Sequence, residues 1–152
     1  MIDFLKNNFH IFALARRAQH ESRVDPYENI SWVLVDISDE EQLTSVFADI
    51  NSQLQIEYII HLAAYYEFGN KPHPAYKLTN VAGTKNILEL ARSMKLQRFL
   101  FASSAVTCEF PESGDYVTEQ TPPNANYTYT ISKREGEVLV REYSQPHGLE
   151  LS

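Results

Sequence analysis

The strongest constraint on the fold of this 152-residue chain is a regular alternation of short apolar runs with longer amphipathic stretches. Each apolar run is five or six residues long, which suits a buried strand. The predicted strands are His10–Ala15, Ser31–Val35, Glu57–Leu62 and Arg98–Ala102. Because crossover helices join parallel strands and cover the sheet, this order predicts one three-layer α/β domain over residues 1–152, with a doubly wound parallel sheet.

The amphipathic stretches predict the helices. Apolar residues recur at helical spacing in Asp39–Ile50, in the long stretch Pro74–Met94, and in Tyr127–Tyr143, which follows a proline-containing loop. Ile2–Asn8 is predicted to form the last turns of a helix, and Leu149–Ser152 to begin a fifth strand. Strands and helices therefore alternate along most of the chain.

Composition argues against several classes of protein. The net charge is -7 and the pI is about 5.2, whereas nucleic-acid binding needs clustered Lys and Arg. No apolar run approaches the roughly 20 residues that span a bilayer, and the N-terminus lacks a secretory signal pattern. Cys108 is the only cysteine, which excludes an intrachain disulfide and fits a reducing compartment. We therefore expect a cytoplasmic protein that binds neither nucleic acid nor membrane.

Two pairs of side chains suggest chemistry. Tyr129 and Lys133 stand four residues apart at the start of the last predicted helix, so both project from one face. A phenol is a poor base because its reference pKa is about 10, but a neighbouring ammonium favours the phenolate. Ser103 and Ser104 directly follow a predicted strand, where a hydroxyl could polarise a substrate carbonyl. Taken alone, the first pair also fits a surface lysine packed beside a helical tyrosine.

Five segments, in order, resemble those of the extended short-chain dehydrogenases/reductases, the family of sugar-nucleotide epimerases, dehydratases and related reductases. They are VLVDISD from Val33, IIHLAA from Ile59, NVAGTKNILELA from Asn80, FLFASSAV from Phe99 and TEQTPPNANYTYTISKREGE from Thr118. The resemblance covers nearly the whole chain, and the ordered set is far more specific than any one segment. It implies a Rossmann-like fold.

The resemblance implies hydride transfer between NAD(P) and a carbonyl or alcohol carbon of a small molecule, such as a nucleotide sugar. Tyr129 would be the acid/base, Ser104 would orient the substrate, and Lys133 would favour the phenolate and hold the nicotinamide ribose. Further cofactor contacts are implied for Asp36 and Ile37 at the adenine, for Leu62, Ala63 and Ala64 at the ribose and pyrophosphate, for Ser103 at the nicotinamide, and for Asn80. Asn80 also fits a simple polar start of a helix.

The end of the first predicted strand bears on the choice of cofactor. A carboxylate there binds the ribose hydroxyls of NAD, whereas a guanidinium can clamp the 2'-phosphate of NADP. Arg16 and Arg17 stand at this position and favour NADP over NAD, although both also fit solvated surface arginines.

Other reactive side chains do not predict a second site. The five histidines show no close metal-ligand spacing, and His61, inside an apolar strand, is predicted to be packed, so no metal site is expected. Cys108 is expected to be a small buried residue rather than a nucleophile. Tyr65, Tyr66 and Phe68 follow a strand whose end faces the cofactor in the family, so they fit either a substrate wall or packing.

The family's first strand and glycine-rich phosphate loop are not present in this sequence, and none of the five glycines supplies that turn. The family's substrate-recognising C-terminal segments are also absent. We therefore expect that the chain closes the gap, pairs with another copy, or is a piece of a longer protein. Enzyme activity of the isolated chain stays open, because the alternative is a catalytically silent fragment that binds or oligomerises.

Overall fold

The computed structural model describes residues 1–68, 71–110 and 115–147, without the side chains of residues 144–147. The predicted strand at Leu149–Ser152 lies outside the described residues, as does part of the proline-containing loop. Backbone contacts divide the chain into two compact units, Met1–Gln55 and Ile56–Ser152. In the described residues, each unit contains one pair of hydrogen-bonded strands.

The strands of the first unit are parallel. Its elements are α1 (Ile2–Leu5), β1 (Ile11–Ala15), a 3-10 helix (His20–Ser22), β2 (Ile30–Leu34) and α2 (Glu40–Gln53). β1 and β2 pair along their whole lengths, from Ile11 opposite Ile30 to Ala15 opposite Leu34. The helix predicted before β1 is confirmed as one short turn, and both strand predictions are confirmed to within one residue.

Helix α2 follows directly from its sequence. The Asp39 carboxylate accepts a hydrogen bond of 3.0 Å from the backbone N–H of Gln42, which caps the first turn. Two glutamates in that turn add negative charge near the positive end of the helix dipole. Leu43, Phe47 and Ile50 recur at helical spacing and are buried. These three side chains form the buried face of the helix.

The second unit contains the other parallel pair and a long helix. Its elements are β3 (Tyr58–His61), α3 (Pro74–Lys77), a π-helical turn (Leu78–Gly83), α4 (Thr84–Ala91), β4 (Arg98–Phe101), a 3-10 helix (Ala105–Thr107) and α5 (Thr128–His147). β3 and β4 pair in parallel along their whole lengths. Phe99 of β4 and Leu88 and Ala91 of α4 are fully buried in its core. The predicted α/β class with parallel strands is therefore confirmed.

The stretch predicted to be helical, Pro74–Met94, is helical from Pro74 to Ala91, and a π-helical turn joins its two α-helical parts. Apolar spacing in a short window does not distinguish a π turn from an α-helix. The turn contains Asn80, whose backbone carbonyl accepts a hydrogen bond of 2.9 Å from the Thr84 hydroxyl. Short π turns inside helices frequently mark functional sites.

Helix α5 is fixed at its start by a side chain and approaches β4 further along. The Thr130 hydroxyl accepts a hydrogen bond of 3.0 Å from the backbone N–H of Tyr127 and donates one of 2.9 Å to the Ala125 carbonyl. A Cβ atom added at Gly136 would lie 3.1 Å from the ring of Phe101. Glycine at this position therefore allows the helix to lie close to the end of the strand.

Candidate active site

Helix α5 carries both side chains of the predicted catalytic pair. Tyr129 and Lys133 are one turn apart, so both project from the same side of the helix. The ring of Tyr129 is half-buried, and its centroid lies 4.8 Å from that of Tyr66 in an edge-to-face arrangement. The ring of Tyr76 lies 6.4 Å away. Two aromatic neighbours therefore position the phenol ring.

Lys133 is buried, with 3% of its surface exposed. Its Nζ donates a hydrogen bond of 2.7 Å to the backbone carbonyl of Ala102 and lies 4.3 Å from the centroid of the Phe101 ring. Burial disfavours the charged form and lowers the pKa of Lys133, while the Glu137 carboxylate opposes this change. A desolvated ammonium beside the end of a strand is typical of functional sites.

The two serines after β4 have different surroundings. The Ser103 hydroxyl donates a hydrogen bond to the Glu137 carboxylate, and Arg141 lies 3.5 Å from the other oxygen of that carboxylate. Ser104 is half-buried and precedes the 3-10 helix, and its backbone carbonyl accepts hydrogen bonds from the backbone N–H and the hydroxyl of Thr107. Lys133 and Glu137, one turn apart on α5, therefore both hold the chain just after β4.

Asn80 is buried in the π-helical turn and connects three segments. Its side-chain oxygen accepts a hydrogen bond of 2.6 Å from the backbone N–H of Tyr65, and its side-chain nitrogen donates to the Tyr65 carbonyl at 3.0 Å. The same nitrogen donates to the Ser132 hydroxyl at 2.9 Å, and this hydroxyl donates to the Tyr129 carbonyl at 2.7 Å. Asn80 therefore joins the loop after β3 to the turn of α5 that carries Tyr129.

His61, at the end of β3, is buried as the sequence predicts. Its Nε2 lies 2.9 Å from the Thr84 hydroxyl, whose proton is directed to the Asn80 carbonyl. The imidazole N–H must therefore be the donor in the contact with Thr84. Burial, and secondarily the Lys133 ammonium, lower the pKa of His61 to about 4. The imidazole is consequently neutral and packed at neutral pH.

A cleft of about 690 Å³ lies beside Tyr129. Four further aromatic residues line it: Tyr66, Tyr76, Phe110 and Tyr127. Two acidic residues, Glu67 and Glu109, also line it. Tyr66 thus fits the predicted substrate wall, whereas Tyr65 stacks on His73 with ring centroids 4.7 Å apart. The volume and the mixture of apolar and polar groups suit a small organic ligand.

The remaining predicted cofactor residues of this unit follow β3. Leu62, Ala63 and Ala64 are exposed, and the small side chains of the two alanines leave the backbone accessible. The backbone N–H of Ala102 donates a hydrogen bond of 3.1 Å to the His61 carbonyl, so strand pairing extends one residue past β4. The carboxyl ends of β3 and β4 therefore lie side by side, where α/β proteins form their sites.

Four predicted cofactor residues belong to the first unit. The Arg16 guanidinium, directly after β1, lies 3.9 Å from the Asp36 carboxylate. The backbone N–H and hydroxyl of Ser38 donate hydrogen bonds of 2.9 and 2.7 Å to the other carboxylate oxygen. Partial burial raises the pKa of Asp36, but these hydrogen bonds and Arg16 outweigh burial, so the pKa lies below its ordinary value. Ile37 is buried and Arg17 is exposed.

Several residues of the site were not predicted from the sequence. Glu137 follows Lys133 by four residues, so the helical spacing that relates Tyr129 to Lys133 also points to it. Glu109 and Tyr127 reach the cleft from the segment between β4 and α5. No local spacing rule connects them with the loop after β3, so only the tertiary fold brings them together.

Neither a metal-ligand cluster nor a membrane-spanning helix is found in the described part of the chain. Within residues 1–68, 71–110 and 115–147, no three His, Cys, Asp or Glu side chains are grouped so as to hold an ion. None of the helices in these ranges is both long and apolar enough to cross a bilayer. The candidate site thus consists of hydroxyl, ammonium, carboxylate and aromatic groups.

Comparison with known proteins gives the family that the sequence resembles. The model of the NAD dependent epimerase/dehydratase family matches residues 2–151. A putative UDP-glucose 4-epimerase of Methanocaldococcus jannaschii is 29% identical over 150 residues, covering 96% of this chain and 47% of that protein. The L-arabinose 1-dehydrogenase (NAD(P)(+)) of Haloferax volcanii is 28% identical over 142 residues, covering 82% of this chain and 51% of that protein. The chain therefore spans about half the length of these relatives.

Solved structures share the fold. The UDP-glucose 4-epimerase of Thermus thermophilus, in complex with NAD, gives a TM-score of 0.80 at 24% identity, over 98% of this chain and 47% of that one. The UDP-glucuronic acid 4-epimerase of Bacillus cereus, in complex with UDP-glucuronic acid and NAD, gives 0.74 at 19% identity, over 98% and 49%. These likenesses confirm the predicted Rossmann-like fold. Because the family model covers nearly the whole sequence, the chain belongs to the NAD dependent epimerase/dehydratase family.

Proposed function

We propose that this chain supplies the nucleotide-binding half of an NAD(P)-dependent oxidoreductase, epimerase or dehydratase, with Ser104, Tyr129 and Lys133 as its catalytic residues. The observation that carries the proposal is the pair on α5. The Tyr129 phenol lines the cleft, and the Lys133 ammonium is buried one turn later beside the end of β4. Burial of an ammonium costs free energy, and one carbonyl, a ring face and the nearby Glu137 carboxylate offset that cost only in part, since the pKa of Lys133 is still lowered. A catalytic role for Lys133 accounts for the burial of its ammonium.

The groups of this chain suit a proton transfer in the cleft. The Tyr129 phenolate, stabilised by the Lys133 ammonium, takes the proton of a substrate alcohol as hydride leaves its carbon, and in the reverse direction the Tyr129 phenol returns the proton to the carbonyl oxygen. The Ser104 hydroxyl orients the reacting oxygen. NAD(P), when bound, supplies the hydride donor or acceptor. Epimerisation and dehydration use the same hydride step transiently, so this residue set serves all three reactions.

The residues of this chain would contact several parts of NAD(P), although the glycine-rich loop is not among them. In the second unit, the nicotinamide and its ribose would lie at Ser103, Tyr129 and Lys133, and the pyrophosphate at Leu62, Ala63 and Ala64, with Asn80 supporting the loop. In the first unit, Asp36 and Ile37 would receive the adenine. The exposed backbone after β3 supports this assignment, because a pyrophosphate needs close approach to backbone groups. Since the glycine-rich loop is not in this sequence, we propose a partial NAD(P)-binding domain over residues 1–152.

The experiment that tests the proposal is titration of NADPH and NADH into the purified chain, followed by nicotinamide fluorescence. We expect saturable binding by the wild type and an affinity at least about tenfold lower in Lys133→Met. A tenfold loss of affinity corresponds to about 1.4 kcal/mol of binding free energy. Lys85→Met is the matched control, because Lys85 is an exposed lysine of the same unit. A folded wild type that binds neither nucleotide would overturn the proposal in favour of a catalytically silent binding or oligomerising fragment.

We also propose that NADP is preferred over NAD. The Arg16 side chain is about half exposed despite its contact with Asp36, so its guanidinium is accessible to a 2'-phosphate, with Arg17 beside it in sequence. Arg16→Gln should lower the ratio of NADPH to NADH affinity. Arg92→Gln is the control, because Arg92 has the same side-chain exposure and also faces a carboxylate. Equal affinity of the wild type for the two nucleotides would contradict the preference.

Names of relatives indicate a substrate class. They include a putative UDP-glucose 4-epimerase and an L-arabinose 1-dehydrogenase, so sugars recur in these names. We therefore propose a sugar, a nucleotide sugar or another small carbonyl or alcohol as the substrate. A cytoplasmic location and a homo-oligomeric state stay predictions from the sequence.

A further inference from the structure

Glu137 places a carboxylate against the chain just after β4. The Ser103 hydroxyl donates a hydrogen bond to one of its oxygens, and the Arg141 guanidinium lies 3.5 Å from the other. The Glu137 side chain is 16% exposed, whereas that of Arg141 is 68% exposed. An ion pair on a helix surface forms without withdrawing a carboxylate from water, and such a pair contributes little to stability. The contact with Arg141 therefore does not account for the burial of Glu137.

Glu137 also lies on the same side of α5 as Lys133. The two residues are one helical turn apart, a spacing that places the Cβ atoms of two side chains about 5 to 6 Å from each other. The Lys133 ammonium donates to the carbonyl of Ala102, and the Glu137 carboxylate accepts from the hydroxyl of Ser103, the next residue along the chain. Two opposite charges thus reach adjacent residues of one segment. The buried ammonium and the carboxylate are close enough for their charges to interact.

The charges around Lys133 single out Glu137. The His61 imidazole, on the paired strand β3, is neutral at neutral pH because burial and then the Lys133 ammonium lower its pKa to about 4. The Arg141 guanidinium, two turns later on α5, carries a positive charge, and the Tyr129 phenol becomes an anion only in the proposed proton transfer. Glu137, by contrast, favours the charged form of Lys133 and opposes the lowering of its pKa by burial. Its carboxylate therefore supplies the negative charge that the buried ammonium meets on this helix.

We infer that Glu137 is a positioning residue of the site, whose carboxylate, held by the Ser103 hydroxyl, is the counter-ion of the buried Lys133 ammonium. The inference rests on the proposed function in one respect, because that function makes Lys133 part of the catalytic set. An ammonium stabilises the Tyr129 phenolate only while it stays protonated. Glu137 keeps it protonated over a wider range of pH, and the hydrogen bond from Ser103 keeps the carboxylate at the end of β4.

The test is the titration of Lys133 in the full chain without nucleotide. The chemical shift of isotope-labelled lysine Cε is followed by NMR as the pH is raised, and the Lys133 signal is assigned by its loss in Lys133→Met. Glu137→Gln keeps the length of the side chain and an acceptor for the Ser103 hydroxyl, but it removes the charge. We expect the titration midpoint of Lys133 to shift to lower pH in this variant, since loss of the anion lowers the pKa of the ammonium. Glu142→Gln, at an exposed glutamate of the same helix, should leave the midpoint unchanged.

Glu137→Asp separates the effect of the charge from the effect of the contact. Aspartate keeps the negative charge but draws the carboxylate back by one methylene. The midpoint of Lys133 should therefore lie between those of the wild type and Glu137→Gln, because the interaction of two charges weakens with distance. A merely structural role of Glu137 would order the variants by their stability instead, which urea denaturation measures independently.

Three results would overturn the inference: the same midpoint in the wild type and Glu137→Gln, an equal downward shift in Glu142→Gln, or a midpoint in Glu137→Asp at or beyond either of its two limits. Circular dichroism confirms that each variant is folded. If Glu137→Gln does not fold, the comparison of Glu137→Asp with the wild type decides, and an unchanged or raised midpoint overturns the inference. Because no nucleotide is present, the outcome is separate from the nicotinamide titration. A shifted midpoint in a chain that binds neither NADPH nor NADH would contradict the proposed function and leave the pairing of Glu137 with Lys133 in place.

Discussion

The Nζ of Lys133 donates a hydrogen bond of 2.7 Å to the backbone carbonyl of Ala102, the residue directly after β4. Lys133 lies one turn after Tyr129 on α5, so this bond fixes the helix that carries the phenol to the end of the strand. The contact places a charged group in a buried position beside the ring of Phe101. The geometry of the proposed site therefore depends on a group that is unfavourable for stability when considered alone.

Replacement of Lys133 by methionine separates catalysis from stability. Lys133→Met keeps most of the side-chain volume and removes the buried charge, while the Ala102 carbonyl loses one donor. Because exchange of a buried ionic group for an apolar one is often neutral or stabilising, we expect the free energy of unfolding to change by less than about 1 kcal/mol. Urea denaturation checks this. A loss above about 3 kcal/mol, a size seen when buried charges lose their partners, would show that the ammonium is chiefly structural.

The hydrogen bonds of Asn80 predict an order of mutational effects. Asn80→Ala leaves the backbone N–H and carbonyl of Tyr65 without their side-chain partner, and we expect a loss of about 2 to 4 kcal/mol of unfolding free energy. Ser132→Ala removes a single partner of the Asn80 amide, which still donates to Tyr65, so the expected loss is about 1 kcal/mol. Chemical denaturation of both variants measures the difference. Equal losses would mean that the link to Tyr65 contributes nothing.

Much of the fold could be read from local patterns. Apolar runs predicted β1 to β4 to within about one residue, because a short buried strand needs a continuous apolar sequence. Helical spacing placed Tyr129 and Lys133 on one face of α5. The π-helical turn at Leu78–Gly83 escaped prediction, since a shift of one residue in hydrogen bonding hardly changes the apolar spacing.

The cleft depends on long-range contacts that a sequence pattern does not encode. Tyr66 follows β3, whereas Glu109 and Tyr127 follow β4, and their meeting is set by how the two connecting segments pack. The hydrogen bond between Ser103 and Glu137 joins residues 34 positions apart and likewise requires α5 to lie against the end of β4. The relative positions of side chains were therefore predictable where they lie on one helix, and not where separate segments of the chain meet.

A methyl group at position 136 should disturb the contact between α5 and the rest of its unit. In Gly136→Ala, the new Cβ would lie 3.1 Å from the Phe101 ring and 3.2 Å from the Asn80 carbonyl. Alanine favours the helix by about 1 kcal/mol, but overpacking typically costs about 1 to 3 kcal/mol, so we expect a net loss of about 1 kcal/mol. Thermal denaturation tests this. Phe101→Leu in the same chain should recover part of the loss, and a stabilised single variant would show that the helix moves freely away from the strand.

Stability of the second unit should fall in weak acid because of His61. Its pKa is about 4 in the folded chain against an ordinary value of 6.5, so between these values the unfolded state binds more protons. The contribution of His61 to stability is therefore complete above pH 6.5 and declines as the pH falls from 6.5 to about 4. Below that range the contribution is gone, and the free energy of unfolding is lower by up to about 3 kcal/mol.

The variant His61→Gln retains a donor for the Thr84 hydroxyl and removes the titration. Urea unfolding followed by far-ultraviolet circular dichroism should show a steep decline in stability for the wild type between pH 6.5 and 4 and a flatter one for the variant. His20→Gln, at an exposed histidine of the first unit, should keep the wild-type slope. Equal slopes for wild type and His61→Gln would mean that carboxylates, rather than the buried imidazole, govern the loss of stability in acid.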